Sequence, residues 1–222
     1  MALLSEQDRQ TVRTHLADIA HPVRLLFFTQ TIEGPESAPV AKQILDEVVS
    51  LNEQITFEEV NVVLEKDRAA AYGITHIPAV AILRGDADTR MRFFGAPAGY
   101  EFMSLVEAIV LAGGSDSGLS DESKRLIAEH VSAPIDIQVF VTPTCPHCPR
   151  AVTLAHRMAV EHPQIRATCV EATEFMDLTR QYRVTGVAKT IVNGTIEILG
   201  AVPEDAFVRT VLQQPPDASS PA

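Results

Sequence analysis

The pattern of elements in this chain occurs twice, and that duplication limits the fold more than any single motif does. From Val23 the first half reads as an apolar strand (Val23–Thr29), a helix over 39–50, a strand (Ile55–Asn61), a short helix over 65–72, a hairpin of 79–83 with 90–94, and a helix over 101–111. The second half repeats the order: a strand (Ile135–Val141), a helix over 146–161, a strand (Ile165–Glu171), a short helix over 174–182, hairpin strands 189–193 and 195–199 around Asn193-Gly194, and a helix over 203–212. Residue identities echo in the same sequence. Phe28-Thr29 matches Val141-Thr142, Tyr72-Gly-Ile-Thr-His-Ile-Pro78 matches Tyr182-Arg-Val-Thr-Gly-Val-Ala188, and Phe94-Gly-Ala-Pro97 matches Leu199-Gly-Ala-Val-Pro203, at separations of 105 to 113 positions. The reading is one α/β unit used twice: residues 1–113, a Gly- and Ser-rich linker over 113–120, residues 121–213, and a disordered tail over 214–222. A helix over 5–19, capped by Ser5 and aligning Val12, His15, Leu16 and Ile19, precedes the first strand, and one near 121–131 precedes the second.

Composition narrows the class. At 46% hydrophobic and 21% charged residues the chain is an ordinary globular one, which excludes disordered, collagen-like and disulfide-dense scaffolds. Eighteen Lys and Arg against 29 Asp and Glu give a net charge of −11, so phosphate backbones and anionic membranes are poor partners. The longest apolar run, residues 77–83, falls far short of the ~18 residues of a membrane span. The first ten residues lack the apolar core of a signal peptide, and the expected location is the cytoplasm. Lasting structural disulfides are rare there, so paired cysteines point to redox chemistry or metal.

Only three cysteines occur, and two of them form Thr142-Pro-Thr-Cys-Pro-His-Cys-Pro149, between an apolar strand and a helix. A helix N-terminus stabilises an anion through its unpaired N–H groups and dipole, so a cysteine placed there ionises readily. Pro146 suits a first helical turn, where no N–H is needed. Cys148 falls in register with Val152, Ala155 and Ala159 on the helix's apolar face, and Cys145 lies ahead of that face. The spacing thus assigns Cys145 as the exposed attacking thiolate and Cys148 as the shielded resolving thiol. His147, if protonated, favours the thiolate; the plainer reading is a solvated loop residue. Zinc bound by Cys145, His147, Cys148 and a distant fourth ligand is the structural alternative, but no second ligand pair stands elsewhere and no metal is expected. Cys169, mid-strand, reads as a small core residue.

The order strand–CxxC–helix–strand–helix–strand–strand–helix resembles the thioredoxin fold. Two such units, with VFVTPTCPHCPRAV and the GAP and GAVP turns, resemble the double-thioredoxin-fold, glutaredoxin-like protein disulfide oxidoreductases from about residue 16 to 212. The resemblance implies two tandem units, each a mixed central sheet flanked by helices, and dithiol–disulfide exchange with protein substrates at Cys145 and Cys148. It implies electrons received or passed through a thioredoxin-reductase-like flavoprotein, and no bound cofactor beyond the redox-active disulfide itself. It also places a substrate-binding loop at Val187 and Ala188.

Three departures qualify it. No cysteine precedes Cys145, and the first unit has Thr29-Gln-Thr-Ile-Glu-Gly-Pro-Glu-Ser-Ala-Pro39 where a dithiol belongs, so it is redox-silent, as in the N-terminal domain of the flavoprotein that reduces peroxiredoxins. The family's cis-proline survives as Pro78 in the silent unit, but the active unit has Val187-Ala188. A cis bond before Ala costs roughly 2.5–4 kcal/mol, so a trans bond is expected. The buried acid that thioredoxins place six residues before the first cysteine is Val139 here; Glu171 could replace it, although a solvated strand end is the simpler expectation. Beside disulfide exchange stand two other readings: an electron relay between a flavoprotein and a peroxiredoxin, and a non-enzymatic protein-binding module.

Overall fold

A computed structural model describes residues 3–17 and 19–213; the tail expected to be disordered, 214–222, lies outside the described residues. The elements follow the order α1 (Glu6–Leu16), β1 (Val23–Thr29), α2 (Ala38–Val49), β2 (Ile55–Asn61), α3 (Lys66–Ala71), β3 (Ala79–Arg84), β4 (Ala87–Phe94) and α4 (Glu101–Gly113). Then come α5 (Asp121–His130), β5 (Ile135–Val141), α6 (Cys148–Glu161), β6 (Ile165–Glu171), α7 (Met176–Gln181), β7 (Lys189–Val192), β8 (Ile196–Leu199) and α8 (Glu204–Val211). Ser5 caps α1 through a reciprocal box with Asp8. The helix stops at Leu16, so Ile19 reaches the core from beyond the helix, and His15 faces outward instead of sharing the buried face.

Each half forms a mixed four-stranded sheet. In the first, β1 pairs parallel with β2 and antiparallel with β3, and β3 pairs antiparallel with β4. The second repeats this with β5, β6, β7 and β8. The two sheets are joined edge to edge: β4 pairs parallel with β6, Met91 to Phe94 facing Ala167 to Val170, giving one eight-stranded sheet in the order β2-β1-β3-β4-β6-β5-β7-β8.

Helices cover both faces, which is why β1 and β5 read as almost continuous apolar runs. Successive side chains alternate between the faces. Leu25 and Phe27 join Ile137, Val139 and Val141 in the core under α1, α2, α4, α5, α6 and α8, while Leu26, Phe28 and Phe140 point into the smaller core under α3 and α7. Strands β1, β2, β5 and β6 end, and the antiparallel β3 and β7 begin, at the same side of the sheet, where the loops of both units gather.

The Val187–Ala188 peptide is cis, as is Ile77–Pro78, against the expected trans bond. The ladder explains this. Ala188 O accepts the Gly200 N–H at 2.8 Å just as Pro78 O accepts that of Gly95 at 2.8 Å, and Lys189 is already in register with Phe140 and Leu199. The second unit follows the backbone path of the first with an alanine in the proline's place.

Candidate active site

Strand β5 delivers Val141 to the sheet's edge, a turn follows, and α6 begins at Cys148 rather than at Pro146. Pro149, not Pro146, takes the first-turn role, and Pro146 lies exposed ahead of the helix. Cys145 and Cys148 are joined by a disulfide with their Cα atoms 5.5 Å apart. They are unequal: Cys148 is fully buried on the face it shares with Val152, Ala155 and Ala159, and Cys145 is half-buried in the turn, its N–H donating to Thr142 O at 3.1 Å. His147, the N-cap residue, is exposed and gives no side-chain cap, and the first turn of α6 holds no acidic residue to oppose a thiolate.

Val187 and Ala188 stand where β7 begins, one position beyond the Lys189–Phe140 pairing and so beside the end of β5. Val187 is half-buried and Ala188 buried. Together with Arg183, Thr185, Gly186 and Leu199 they line an open groove of about 540 Å³.

The silent unit closes the other flank. Tyr100, at the N-cap of α4, donates its N–H to Pro143 O at 3.0 Å, which docks that helix end two residues from Cys145. Gly99 makes the approach possible: its φ is +61°, and a side chain there would run into the Pro143 backbone. The next residue, Glu101, was invisible to sequence reasoning as a site residue, because an acid in a first helical turn reads as a simple dipole complement. It is 2% exposed, burial pushes its carboxyl up to about 7, and Oε1 has no partner among the described residues. Its Oε2 lies 3.7 Å from the Cys169 Sγ, and Cys169 pairs in register with Val139, where the buried acid is missing. Burial and the neighbouring carboxylate hold the Cys169 thiol protonated by pushing its pKa well up, so Cys169 is a core residue.

Glu171 is not the solvated strand end that was expected. It is buried, with its carboxylate accepting from the Thr173 N–H (3.2 Å), the Thr173 hydroxyl (2.7 Å) and the Glu174 N–H (2.7 Å). Asn61 ties the equivalent turn of the silent unit through the N–H groups of Val63 and Leu64. Both residues are turn anchors. Among the described residues no group of three or more His, Cys, Asp or Glu is placed to hold a metal ion.

A dithiol at the start of a helix, after the first strand of a four-stranded mixed sheet and beside a cis loop, defines a thioredoxin-fold thiol–disulfide oxidoreductase, here built from two tandem units. Residues 135–213 match the thioredoxin domain family. The chain is similar over 94% of its length to the N-terminal domain of alkylhydroperoxide reductase AhpF from Enterococcus faecalis, with 26% identity, a TM-score of 0.87 and 99% of that chain covered. It is similar also to a protein disulfide oxidoreductase from Aeropyrum pernix, with 28% identity, a TM-score of 0.84, and 94% and 92% of the two chains covered. Among curated proteins, the alkyl hydroperoxide reductase AhpF of Escherichia coli is 25% identical over 194 residues, 86% of this chain and 34% of that protein. That of Pseudomonas putida is 26% identical over 210 residues, 90% of this chain and 38% of that protein. The chain therefore spans little more than a third of the curated relatives it matches.

Proposed function

We propose that residues 121–213 are the exchanging unit, that residues 1–113 are a redox-silent partner unit, and that Cys145 and Cys148 carry two electrons between protein disulfides. The observation that supports this best is the inequality of the pair, one cysteine half-buried in the turn and one sealed on the buried face of α6. In the reduced protein the Cys145 thiolate attacks a substrate disulfide. A Cys145–substrate bond forms and one substrate thiolate leaves, taking a proton from water. Cys148 then loses its proton and attacks the Cys145 Sγ. The Cys145–Cys148 bond forms, the second substrate thiol departs, and the substrate has gained two electrons and two protons. Glu101, buried against Cys169, the register partner of Val139, is the group assigned to accept the Cys148 proton in place of an acid at position 139. Val187 and Ala188 dock the substrate backbone. Pro146 and His147 form the exposed rim of the turn.

The similarity to the AhpF proteins favours one direction of flow, from a thioredoxin-reductase-like flavoprotein through Cys145–Cys148 to a peroxiredoxin. The cytoplasm, where thiols are kept reduced, suits that role. Insulin reduction by the dithiothreitol-reduced protein tests the exchange. Cys145→Ser is expected to lower the rate to that of dithiothreitol alone, and retained activity would remove Cys145 from the mechanism. Peroxide turnover in a mixture of this chain, a thioredoxin reductase and a peroxiredoxin, absent when this chain is left out, tests the relay.

A further inference from the structure

In the silent unit the places that correspond to the start of α6 and to the Val187–Ala188 loop are the start of α2, at Ser37 and Ala38, and the loop His76-Ile77-Pro78. Neither is free. The Ser37 hydroxyl donates to Glu174 Oε2, and the Ala96 N–H donates to Glu174 Oε1 at 2.8 Å. The Thr75 hydroxyl lies 2.9 Å from His76 Nδ1, and His76 Nε2 donates to Asp177 Oδ2 at 2.9 Å, since a carboxylate oxygen can only accept. The same imidazole meets Phe175 edge-on at 5.3 Å and lies tilted against Phe94 at 5.8 Å. Glu174, Phe175 and Asp177 all come from one segment, the turn after β6 and the first turn of α7 in the active unit. Gly95 lets that turn come close: its φ is +92°, and a Cβ there would stand 2.7 Å from Glu171 Cβ and 2.9 Å from Glu174 Oε1.

We infer that the silent unit's vestigial groove is filled by the active unit's own turn, residues 173–177, and that Ser37 and His76 are thereby positioning residues for the active unit's substrate loop. The path is short. Asp177 opens α7, and α7 holds the following loop through three amides: Tyr182 N–H to Leu178 O (3.0 Å), Arg183 N–H to Arg180 O (3.2 Å) and Val184 N–H to Thr179 O (2.9 Å). From the far side Lys189 Nζ donates to Tyr182 O at 2.9 Å and Arg183 O at 3.3 Å. Val187 and Ala188 lie between these anchors. The unit without cysteines offers its groove as a seat, and the seat holds in place the helix from which the working groove hangs. The effect on substrate rests on the exchange proposed above; the seating of the turn does not.

Two measurements separate the two claims. Hydrogen exchange in His76→Ala and in Glu174→Ala is expected to speed up at the amides of residues 182–184 by about tenfold or more, with β5 as protected as before. The apparent KM for insulin is expected to rise about threefold or more with kcat within about twofold, while the reduced protein reacts with the small disulfide dithiobis-nitrobenzoate at an unchanged rate. His76→Gln, whose amide can still donate to Asp177, should restore both. Unchanged exchange at 182–184, or a loss of protection that extends through β5, overturns the seating. Altered exchange with an unchanged KM overturns the positioning role. Should the wild-type protein leave insulin untouched, the proposed function fails while the exchange data still decide the seating.

Discussion

Cys145 and Cys148 differ in surroundings rather than in chemistry, and the difference sets the order of events. A half-buried residue can meet a folded partner, whereas Cys148, on the buried face of α6 and bonded to Cys145, is closed to one. Cys148→Ser should therefore accumulate a covalent Cys145–substrate adduct that dithiothreitol releases, seen as a mass shift of intact protein; absence of any adduct would mean that Cys145 does not attack first. Glu101 carries the second prediction. Its folded pKa of about 7 lies above the ordinary carboxyl value of 4.5, so the folded state binds more protons between those values and stability falls as pH rises through that window, by ~3 kcal/mol in all. Glu101→Gln should remove this loss, raising the urea midpoint at pH 8, and should slow resolution of the mixed disulfide. A midpoint that shifts without any slowing would leave Glu101 a structural residue only. The cysteine pair was legible in the sequence because its signal is local: two thiols, a proline and a strand-to-helix boundary within a few residues. Glu101 was not, since its burial comes from packing against a unit nearly seventy positions away, at Cys169.

At the scale of elements, the strands were the easier reading. Residues 23–29, 55–61, 135–141 and 165–171 begin and end where their apolar and turn residues place them. Helix starts were less legible, because Pro146 and Pro149 stand on either side of Cys148 and either could have opened α6; the turn bond from Cys145 N–H to Thr142 O closes over Pro143, and Pro146 stays in the turn ahead of the helix. The seam between β4 and β6 left no trace at all. Alternation announces a strand and its buried face, not which edge it meets. Arg90 marks the seam, its Nη2 donating to Ala159 O at 2.6 Å and its Nε to Ile165 O at 3.2 Å, so that one guanidinium from the silent unit satisfies the last turn of α6 and the first residue of β6. Arg90→Ala leaves those carbonyls without this partner and should cost about 1–3 kcal/mol in urea unfolding. A change below ~0.5 kcal/mol would mean that water replaces the guanidinium without loss.

For the whole molecule, two buried groups on opposite slopes shape the response to pH. His156, 2% exposed, packs edge-on to Phe93 at 5.1 Å, and burial lowers its pKa from 6.5 to about 4. The unfolded state then binds more protons across that interval, so this term makes stability rise with pH from about 4 to 6.5, by ~3 kcal/mol. Against the opposite slope from Glu101 the two nearly cancel between about 4.5 and 6.5, and the pair predicts a plateau there. His156→Gln should tilt the plateau downward with rising pH and Glu101→Gln should tilt it upward; unfolding midpoints across pH 4 to 8 that stay parallel to wild type would contradict both assignments. No helix among the described residues is long and apolar enough to cross a membrane.

The parallel union of β4 with β6 is a translation, not a rotation. Each unit offers its neighbour one edge and keeps another, so β2 and β8, the outermost strands, are the same two edges left open. A contact of this kind is head-to-tail and not self-complementary, and copies added by it would extend the sheet as a ribbon wherever the rotation does not close a ring. The chain ends that progression with charge: Glu58 and Glu59 on β2 are paired to Arg68 and Lys42, and Glu197 on β8 to Lys189. Such edges discourage a further strand. Geometrically the molecule is a polymer of length two, halted by its own margins, and neutralising those margins is where uncontrolled self-assembly would start.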